Sequence, residues 1–377
     1  MDRCVIIAGE TSGDQYGSKL MSEINKISGN AVEFWGIGGK EMLNSGLNQL
    51  ENIDNISVVG FSEALKKLPH LAILAKRISQ FIYEVNPSYV ILIDFPGFNL
   101  NVAKKIKNIS PKTKINFFIS PQVWAWNEKR IKSIEKYIDQ MIVIFPFEEK
   151  YYNNKNINTI YVGHPFLDSW HPSDKAVLKE KLNLSLDKTV VGIFPGSRKQ
   201  ELKRHLPIYL KVVEKLLENN TEMQFALGLA PGFDVQEIIN QYKISNIKII
   251  KENPLGLLEC CDVAIVTSGT ISLQATFMIT PCVVAYKLSR LSGYISRLLM
   301  KVKYISITNI IANKMILPEL VQSNVNLKNL ILEINKLTTD TKYYESIKND
   351  LQSVKNIFLN KSNAINNAAK CILNEKN

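Results

Sequence analysis

The segment Val5–Asp14 (VIIAGETSGD) is the most informative about the fold, because it joins a buried-strand pattern to a turn bounded by glycines. Its first four residues are apolar, mostly β-branched and without alternation, which is typical of a parallel strand buried on both faces. The glycines let the backbone approach a ligand, and a helix predicted near Gln15 would direct its N-terminus at anionic or hydroxyl groups. The spacing matches neither a dinucleotide fingerprint nor a P-loop, and a tight turn before a capped helix explains the segment as well.

Short apolar runs of the same kind follow at intervals, with helical patterns between them. This alternation predicts a doubly wound α/β domain with a parallel sheet over residues 1–165. The further strands predicted in this domain are 89–93, 115–119 and 141–145.

The pattern restarts after the proline-bounded segment 165–172 and predicts a second doubly wound domain over residues 166–340. Amphipathic helical sequence fills residues 341–377. We expect the two Rossmann-like domains to face each other across a cleft lined by the carboxyl ends of their strands. The strands predicted in the second domain are 188–194, 223–229, 247–250, 263–267 and 283–286.

Size and charge agree with a two-domain globular protein. A chain of 377 residues is too long for one ordinary core, and 46% hydrophobic with 21% charged residues is ordinary globular composition. The net charge of +11 comes mostly from scattered lysines, which indicates either a solvated basic surface or attraction to anionic lipid. No basic run is interleaved with aromatic residues, so nucleic acid is not an expected partner.

The five cysteines show no Cys-x-x-Cys spacing and no histidine nearby, which favours buried small side chains in a reducing compartment over a zinc site. The N-terminal apolar stretch is too short for a signal peptide, and no stretch approaches the ~20 apolar residues of a spanning helix. We therefore expect a cytoplasmic protein whose membrane contact, if it has any, is peripheral.

Two strand ends of the second domain lead directly into predicted helices. One carries Gly196, Ser197 and Arg198, a plausible diphosphate cradle because the arginine fork matches phosphate. An arginine that caps a neighbouring helix is the alternative. The other carries Ser268, Gly269 and Thr270, so together these turns predict that the second domain binds a nucleotide.

Asp94 ends the strand 89–93 and precedes Pro96 and Gly97, which force a turn. A carboxylate at that position points into the predicted cleft, where it could remove a proton from an acceptor hydroxyl. A hydrogen bond to the turn is the structural alternative. Glu10 and His164 are the other candidates for this role, although a histidine before proline also fits a hinge or packing position.

Two tryptophans, Trp124 and Trp126, follow the strand 115–119 within Ser120–Trp126 (SPQVWAW). Their flat side chains would suit a sugar face or an acyl chain at a cleft mouth. Packing in the core explains them as well.

In this order, these segments resemble the lipid-A-disaccharide synthase family, and the resemblance runs from about residue 4 to residue 325. Gly9–Asp14 and Ser120–Trp126 are its most specific parts. The other matching segments are 36–39, 93–94, 145–148, 161–165, 195–198, 268–270, 309 and 318–322.

The resemblance implies a glycosyltransferase-B fold, with the C-terminal helices returning to the first domain. It implies transfer of 2,3-diacylglucosamine from its UDP carrier to 2,3-diacylglucosamine 1-phosphate, forming a β-1,6-linked disaccharide 1-phosphate and UDP, with no metal or cofactor. By this pattern Asp94 is the base, Arg198 contacts the diphosphate and Asn309 belongs to the donor site. Ser12 and Gly13 are assigned to the acceptor side.

The sequence departs from the family pattern at two positions. Gln274 stands where the family usually has a glutamate, which would weaken UDP binding if this side chain bonds the ribose. Gly97 stands where some relatives have a second acidic residue, which leaves the base role to Asp94 alone.

A membrane surface is the expected partner of an enzyme with two lipid substrates. Apolar residues recur at near-helical spacing over 61–82 among lysines and arginines, which fits an interfacial helix on anionic lipid, although an ordinary half-buried helix fits too. A second basic and apolar stretch covers 291–303, and the oligomeric state is left open. The leucines predicted to dock are Leu65, Leu68, Leu71 and Leu74.

Other readings of the function stay open on the residues alone. One is a different UDP-sugar enzyme of the same fold, such as a UDP-N-acetylglucosamine 2-epimerase or the lipid-linked peptidoglycan glucosaminyltransferase. The other is a protein that binds UDP-sugar or lipid without catalysis, which Gln274 would suit.

Overall fold

The chain forms two compact units in a computed structural model. Unit 1 contains the residues up to Ser169 and the C-terminal residues from Phe358 onward, and unit 2 is Trp170–Ile357. The structure describes the backbone of residues 2–56, 61–125, 127–218, 220–230, 232–242, 244, 247–289, 293 and 302–373, and all the side chains in these ranges except those of 61–67.

Unit 1 is built on a seven-stranded, fully parallel sheet in the order β3-β2-β1-β4-β5-β6-β7. The apolar runs of the central strands are buried, as expected for parallel strands covered on both faces. The strands are β1 (Asp2–Ala8), β2 (Val32–Gly38), β3 (Leu47–Asn52), β4 (Tyr89–Ile93), β5 (Ile115–Phe118), β6 (Gln140–Val143) and β7 (Thr159–Tyr161).

Helices connect these strands and cover the sheet, burying apolar side chains against it. The helices of unit 1 up to the end of its first segment are α1 (Thr11–Ser28), α2 (Lys40–Asn44), α3 (Ile53–Ile56), α4 (Phe61–Val85), α5 (Pro96–Ile109), α6 (Ile131–Tyr137), α7 (Pro146–Asn153) and α8 (Pro165–Ser169).

Unit 2 repeats the plan with a six-stranded parallel sheet in the order β10-β9-β8-β11-β12-β13. Its strands are β8 (Thr189–Phe194), β9 (Met223–Gly228), β10 (Ile247–Ile250), β11 (Val263–Val266), β12 (Cys282–Tyr286) and β13 (Glu319–Val321). The described helices from α9 onward are α9 (Lys175–Lys181), α10 (Lys199–Leu217), α11 (Gln236–Ile239), α12 (Pro254–Cys260), α13 (Thr270–Met278), α14 (Ile307–Ala312), α15 (Leu327–Thr339), α16 (Thr341–Leu359) and α17 (Ala364–Leu373).

The doubly wound α/β prediction is confirmed for both units, and every strand predicted from an apolar run is present. Four strands were not predicted from the sequence: β2, β3, β7 and β13. Three of these lie at sheet edges, where solvent on one side allows polar sequences such as LNQLEN in β3 or runs of only three residues. In β2 a glutamate and two glycines interrupt the apolar run.

The C-terminal helices divide between the units instead of returning together to the first one. Helix α16 lies in unit 2 as far as Ile357, where Tyr344 donates its hydroxyl to the Asp262 carbonyl at 3.2 Å. Helix α17 joins unit 1 and packs along α1. There the Ile365 amide donates to the Asp168 carboxylate at 3.0 Å, which satisfies a donor at the start of α17.

Strand order reverses once in each sheet, between β1 and β4 in unit 1 and between β8 and β11 in unit 2. In open parallel sheets a ligand binds outside the carboxyl ends of the strands at this switch point. The loops after β1 and β4 and those after β8 and β11 are therefore the places to look for function.

The loop after β2 is held by a buried carboxylate from α1. Asp14 is 3% exposed, and its Oδ1 accepts from the Gly39 amide at 2.6 Å and the Met42 amide at 3.1 Å. Its Oδ2 accepts from the Glu41 amide at 3.0 Å. Asp14 thus satisfies the free amides at the N-terminus of α2 and ties the helix to α1.

We predict that Asp14→Asn destabilises the fold by about 1–3 kcal/mol, because an amide cannot accept all three bonds and leaves a buried donor unpaired. Urea unfolding followed by circular dichroism measures the change. Glu41→Gln removes an exposed charge from the same helix and is the matched control, expected within about 0.5 kcal/mol of wild type. Equal stabilities of the two variants would contradict the role given to Asp14.

Candidate functional site

The loops after β1 and β4 lie against each other at the switch point of unit 1. Ala8 pairs with Ile93 at the ends of the two strands, so Glu10 and Asp94 follow neighbouring strand ends. A Cβ atom on Gly9 would lie 2.2 Å from the Phe95 ring, so only glycine permits this approach. The structure therefore brings together two of the three carboxylate or histidine candidates, Glu10 and Asp94.

Asp94 occupies a strained turn. Asp94 and Phe95 both have left-handed backbone conformations, with φ of 43° and 47°, a geometry that costs non-glycine residues of order 1–3 kcal/mol each. The buried Asn99 side chain holds the turn by donating to the Ile93 carbonyl at 3.1 Å and the Asp94 carbonyl at 2.7 Å. The Asp94 amide also donates to the Phe118 carbonyl. These bonds fix the direction in which the half-buried Asp94 leaves the strand.

A second carboxyl group, Glu148, is buried beside this turn and was not predicted as a site residue. Its Oε1 accepts from the Ser120 hydroxyl at 2.6 Å and from the Trp124 indole nitrogen at 2.9 Å. Burial, together with the charge of Asp94, raises the pKa of Glu148 to about 7 despite the lowering effect of these bonds. In the sequence, Pro146–Glu148 is typical of the start of a capped helix, and only the fold shows what the carboxyl group contacts.

Trp124 lies at the same end of the sheet and contacts both Glu148 and Phe147. Besides its bond to Glu148, its ring meets the edge of Phe147 with centroids 4.9 Å apart. The ring is half-buried, so one part remains open to a ligand. Trp126, the other predicted aromatic, lies outside the described residues.

Ser12 and Gly13 belong to the first turn of α1, which begins at Thr11 and thus earlier than the predicted Gln15. Ser12 is exposed, and its hydroxyl can reach a ligand at the helix N-terminus. Gly13 is buried, and a Cβ there would lie 3.3 Å from the Ala8 Cβ. Gly13 therefore allows α1 to pack closely on β1.

His164 does not fit the catalytic role for which it was a candidate. It is 4% exposed, its Nδ1 accepts from the Phe166 amide at 3.3 Å, and its ring packs near Phe145 and Phe358. Burial lowers the pKa of His164 to about 3, far below the range useful for a general base at neutral pH. It packs the C-terminal segment onto unit 1.

In unit 2 the loop after β8 carries Gly196, Ser197 and Arg198, with the last two exposed. Gly196 has φ of 116°, and Glu201 in the first turn of α10 accepts from the Ser197 amide at 3.1 Å and the Arg198 amide at 3.4 Å. Glu201 therefore already uses these two backbone amides. The Ser197 hydroxyl and the Arg198 guanidinium are the groups that this loop can present to a phosphate.

The loop after β11 lies next to the first one, since Thr267 donates its amide to the Phe194 carbonyl at 3.2 Å. Ser268 donates its hydroxyl to the Ile305 carbonyl at 2.9 Å, whereas Gly269 and Thr270 are exposed at the start of α13. Gln274 is half-buried one helical turn further on. The structure thus gathers the predicted donor residues of both loops at one switch point.

Asn309 is the exception among the predicted donor residues. It is fully buried; its Nδ2 donates to the Leu317 carbonyl and to Glu319, and its Oδ1 accepts from the Ile316 and Leu317 amides, all at 2.8–2.9 Å. A side chain that already makes four such bonds has none left for a ligand. Asn309 instead fixes Glu319, which accepts from the amide of Ile305, the residue that holds Ser268.

The predicted docking leucines of α4 differ in how far they are exposed. Leu74 is 2% exposed and belongs to the core of unit 1, which overturns its assignment to a membrane surface, and Leu71 is half-buried against that core. Leu68 is 55% exposed, as is an unpredicted neighbour, Ile73, at 70%. The side chain of Leu65 and most of the stretch 291–303 lie outside the described residues.

Within the part of the chain that the structure describes, no three histidine, cysteine or acidic side chains lie close enough to hold a metal ion. No described helix is both long and apolar enough to cross a bilayer.

Comparison with known proteins places nearly the whole chain in one family. A profile of the lipid-A-disaccharide synthetase family matches residues 4–375. The lipid-A-disaccharide synthase of Nitrosococcus oceani is 34% identical over 356 residues, covering 93% of this chain and 90% of its own. That of Coxiella burnetii (strain CbuK_Q154) is 32% identical over 371 residues, covering 98% and 97%.

Solved structures agree on the fold at low sequence identity. The UDP co-structure of S. aureus MnaA has a TM-score of 0.64 at 12% identity, covering 100% of this chain and 98% of that one. The spinosyn rhamnosyltransferase SpnG with spinosyn aglycone has a TM-score of 0.58 at 10% identity, covering 100% of both chains. The fold is therefore that of the glycosyltransferase-B proteins.

The family match extends across nearly the whole chain and includes both switch-point loops, so it decides among the UDP-sugar enzymes that share this fold. The chain belongs to the lipid-A-disaccharide synthase family, the glycosyltransferases of lipid A biosynthesis.

Proposed function

We propose that this enzyme transfers 2,3-diacylglucosamine from its UDP carrier to the 6-hydroxyl of 2,3-diacylglucosamine 1-phosphate. The acceptor oxygen bonds to the anomeric carbon of the donor, the bond from that carbon to UDP breaks, and the acceptor proton goes to the enzyme. Inversion at the anomeric carbon gives the β-1,6-linked disaccharide 1-phosphate and UDP. The observation that carries the proposal is the strained, hydrogen-bonded turn that fixes Asp94 at the switch point of unit 1.

Asp94 is the proposed general base. A carboxylate that accepts the acceptor proton as the new bond forms lowers the barrier most when its direction is fixed beforehand. Asn99 supplies that constraint through the two carbonyls of the turn. Glu148 orients Trp124 beside the turn, where the indole face would meet the acceptor sugar or its acyl chain.

The donor side is proposed for unit 2, at the loops after β8 and β11. Arg198 would pair with the diphosphate through its forked donors, with the Ser197 and Thr270 hydroxyls as further contacts. Gln274, one turn into α13, would lie toward the ribose.

Asp94→Asn should lower turnover by roughly 10²–10⁴-fold, the usual range for a lost general base, while UDP binding stays at the wild-type level. Mass spectrometry of the disaccharide formed from defined donor and acceptor measures the rate, and also tests the proposed reaction. Asp54→Asn removes an exposed carboxylate on α3 and is the matched control. Turnover near wild type in Asp94→Asn would transfer the base role to Glu10; a wild-type enzyme that forms no disaccharide would refute the reaction.

Gln274→Glu should tighten UDP binding by a few-fold or more, because a hydrogen bond to a charged acceptor contributes about 1.5–3 kcal/mol against roughly 1 kcal/mol for a neutral one. Calorimetric titration with UDP measures the affinity. Gln352→Glu places the same charge on the exposed face of α16 and serves as the control. Weaker UDP binding in Gln274→Glu would mean that the amide nitrogen, rather than the oxygen, meets the donor.

For the membrane we propose peripheral attachment to the cytoplasmic face of the inner membrane through exposed side chains of α4. Leu68, Ile73 and Tyr83 are 55%, 70% and 54% exposed on this helix, and Lys76 is exposed as well. Apolar burial contributes ~25 cal/mol per Å², and a lysine near an anionic surface adds about 1 kcal/mol. Lipid substrates would then reach the enzyme without leaving the bilayer surface.

The double variant Leu68→Ser with Ile73→Ser should bind phosphatidylglycerol vesicles at least about tenfold more weakly, since each leucine- or isoleucine-sized side chain contributes roughly 1.5–3 kcal/mol when fully buried. Vesicle sedimentation measures binding, and activity on detergent-dispersed substrate should persist. Leu332→Ser with Leu359→Ser is the control, because these residues are 49% and 53% exposed on other helices. Equal vesicle binding by both double variants would exclude α4 as the docking element.

A further inference from the structure

A buried histidine in unit 2 connects the loop after β8 to the end of β12. His205 lies on α10, is fully buried, and its Nδ1 lies 3.1 Å from the Pro195 carbonyl oxygen. Its Nε2 accepts from the Lys287 amide at 2.9 Å. One imidazole therefore bonds the first residue after β8 and the first residue after β12.

The two partners determine the protonation state of the ring. A carbonyl oxygen only accepts, so Nδ1 carries the proton, and an amide only donates, so Nε2 carries none. A charged imidazolium would lose the bond from Lys287. Burial lowers the pKa of His205 and thereby favours the neutral ring. The Pro195 bond and the charge of Glu201 act in the opposite direction but do not outweigh burial.

The groups around the ring act on the same loop. The ring of Tyr209 stacks on one side of His205, and Tyr286 lies against it with centroids 5.5 Å apart. Tyr286 also donates its hydroxyl to Oε1 of Glu201 at 3.4 Å. The other carboxylate oxygen of Glu201 accepts from the Ser197 and Arg198 amides. The charged residues nearest to the ring are Glu201, Arg204 and Lys287.

The loop is thus held at two points one helical turn apart on α10. His205 fixes the carbonyl of Pro195, the peptide that joins β8 to the left-handed Gly196. Glu201 fixes the amides that follow. Because the orientation of the Pro195 peptide sets the direction in which the chain leaves the strand, it also sets where the Arg198 guanidinium is presented.

We propose that His205 is a positioning residue for the donor diphosphate, which holds the 195–198 loop in its binding conformation through the Nδ1–H bond to Pro195. The inference rests on the donor site proposed above. His205 would then influence donor affinity without touching the substrate. UDP affinity would depend on its bond to Pro195 and not on its bond from Lys287.

Two substitutions separate the two bonds. In His205→Asn the side-chain amide nitrogen takes the place of Nδ1 and can still donate to Pro195. In His205→Gln the side-chain oxygen takes the place of Nε2 and can still accept from Lys287. Each variant loses one buried hydrogen bond, so a merely structural role would affect both to a similar degree. Tyr209→Phe is the matched control, since it removes a buried bond to the Ala285 carbonyl next to the same ring and leaves the loop untouched.

Calorimetric titration with UDP should give an affinity within about twofold of wild type for His205→Asn and Tyr209→Phe. His205→Gln should bind UDP about tenfold more weakly, with donor KM raised more than kcat is lowered. Equal UDP affinities for the Asn and Gln variants, or a weaker Asn variant, would overturn the proposal. If the folded wild-type protein does not bind UDP, that result would instead refute the proposed donor site in unit 2.

The wild-type protein offers a test that needs no folded variant. In NMR spectra of protein labelled with ¹⁵N-histidine, His205 should show the Nδ1–H tautomer. Saturating UDP should shift the Nδ1 resonance, because UDP bound to the 195–198 loop changes the environment of the Pro195 carbonyl that Nδ1 contacts. His164, buried in unit 1, should not shift. The other tautomer, or no response of His205 to UDP in a protein that binds it, would overturn the proposal.

Discussion

The parallel pairing of β1 with β4, and of β8 with β11, is the constraint on which both sites depend. Parallel neighbours end on the same side of the sheet, so loops far apart in sequence come together at the point where strand order reverses. In unit 1 this pairing brings the loop with Glu10 to the loop with Asp94. In unit 2 it brings the loop with Arg198 to the one with Thr270. The hydrogen bonds within these loops then set the directions of the side chains that the strand pairing has brought together.

Carboxylates perform much of this orientation of loops and side chains. Asp14 and Glu148 are buried, Glu201 and Glu319 are partly buried, and each of the four accepts two or more hydrogen bonds, mostly from backbone amides of a loop or a helix start. A carboxylate loses its hydration on burial and is retained only where such bonds replace it, so each one ties its loop to a single geometry. Glu148 shows the limit of this compensation, because burial still raises its pKa to about 7. The loop that Glu201 holds in this way can present Arg198 to a substrate with little freedom left to lose on binding, and the Asn99 amide constrains the turn at Asp94 in the same manner.

Prediction from sequence was most successful where burial is complete and least successful where it is partial. Most strands in the middle of both sheets have apolar runs in their sequences. The interior strand β2 is interrupted by a glutamate and two glycines, and β3 and β13 at the edges contain polar residues, so these three were not predicted. The same ambiguity affected α4, whose leucines share one helical pattern although Leu74 is in the core and Leu68 is exposed. Periodicity indicates that a helix has two faces, but the identity of the covered face depends on the sheet that the helix packs against.

The fold class, the family and the placement of Glu10, Asp94, Arg198 and Thr270 in loops at strand ends could be predicted from the sequence, because these depend on apolar runs, glycines and local motifs along the chain. The contacts of the polar side chains could not. The folded structure was needed to show that His164 and Asn309 are internal supports, that Glu148 lies beside Asp94, and that His205 reaches Pro195 and Lys287. The physical reason is that a polar side chain acquires its role from the donors and acceptors around it, and folding brings most of these from distant parts of the chain.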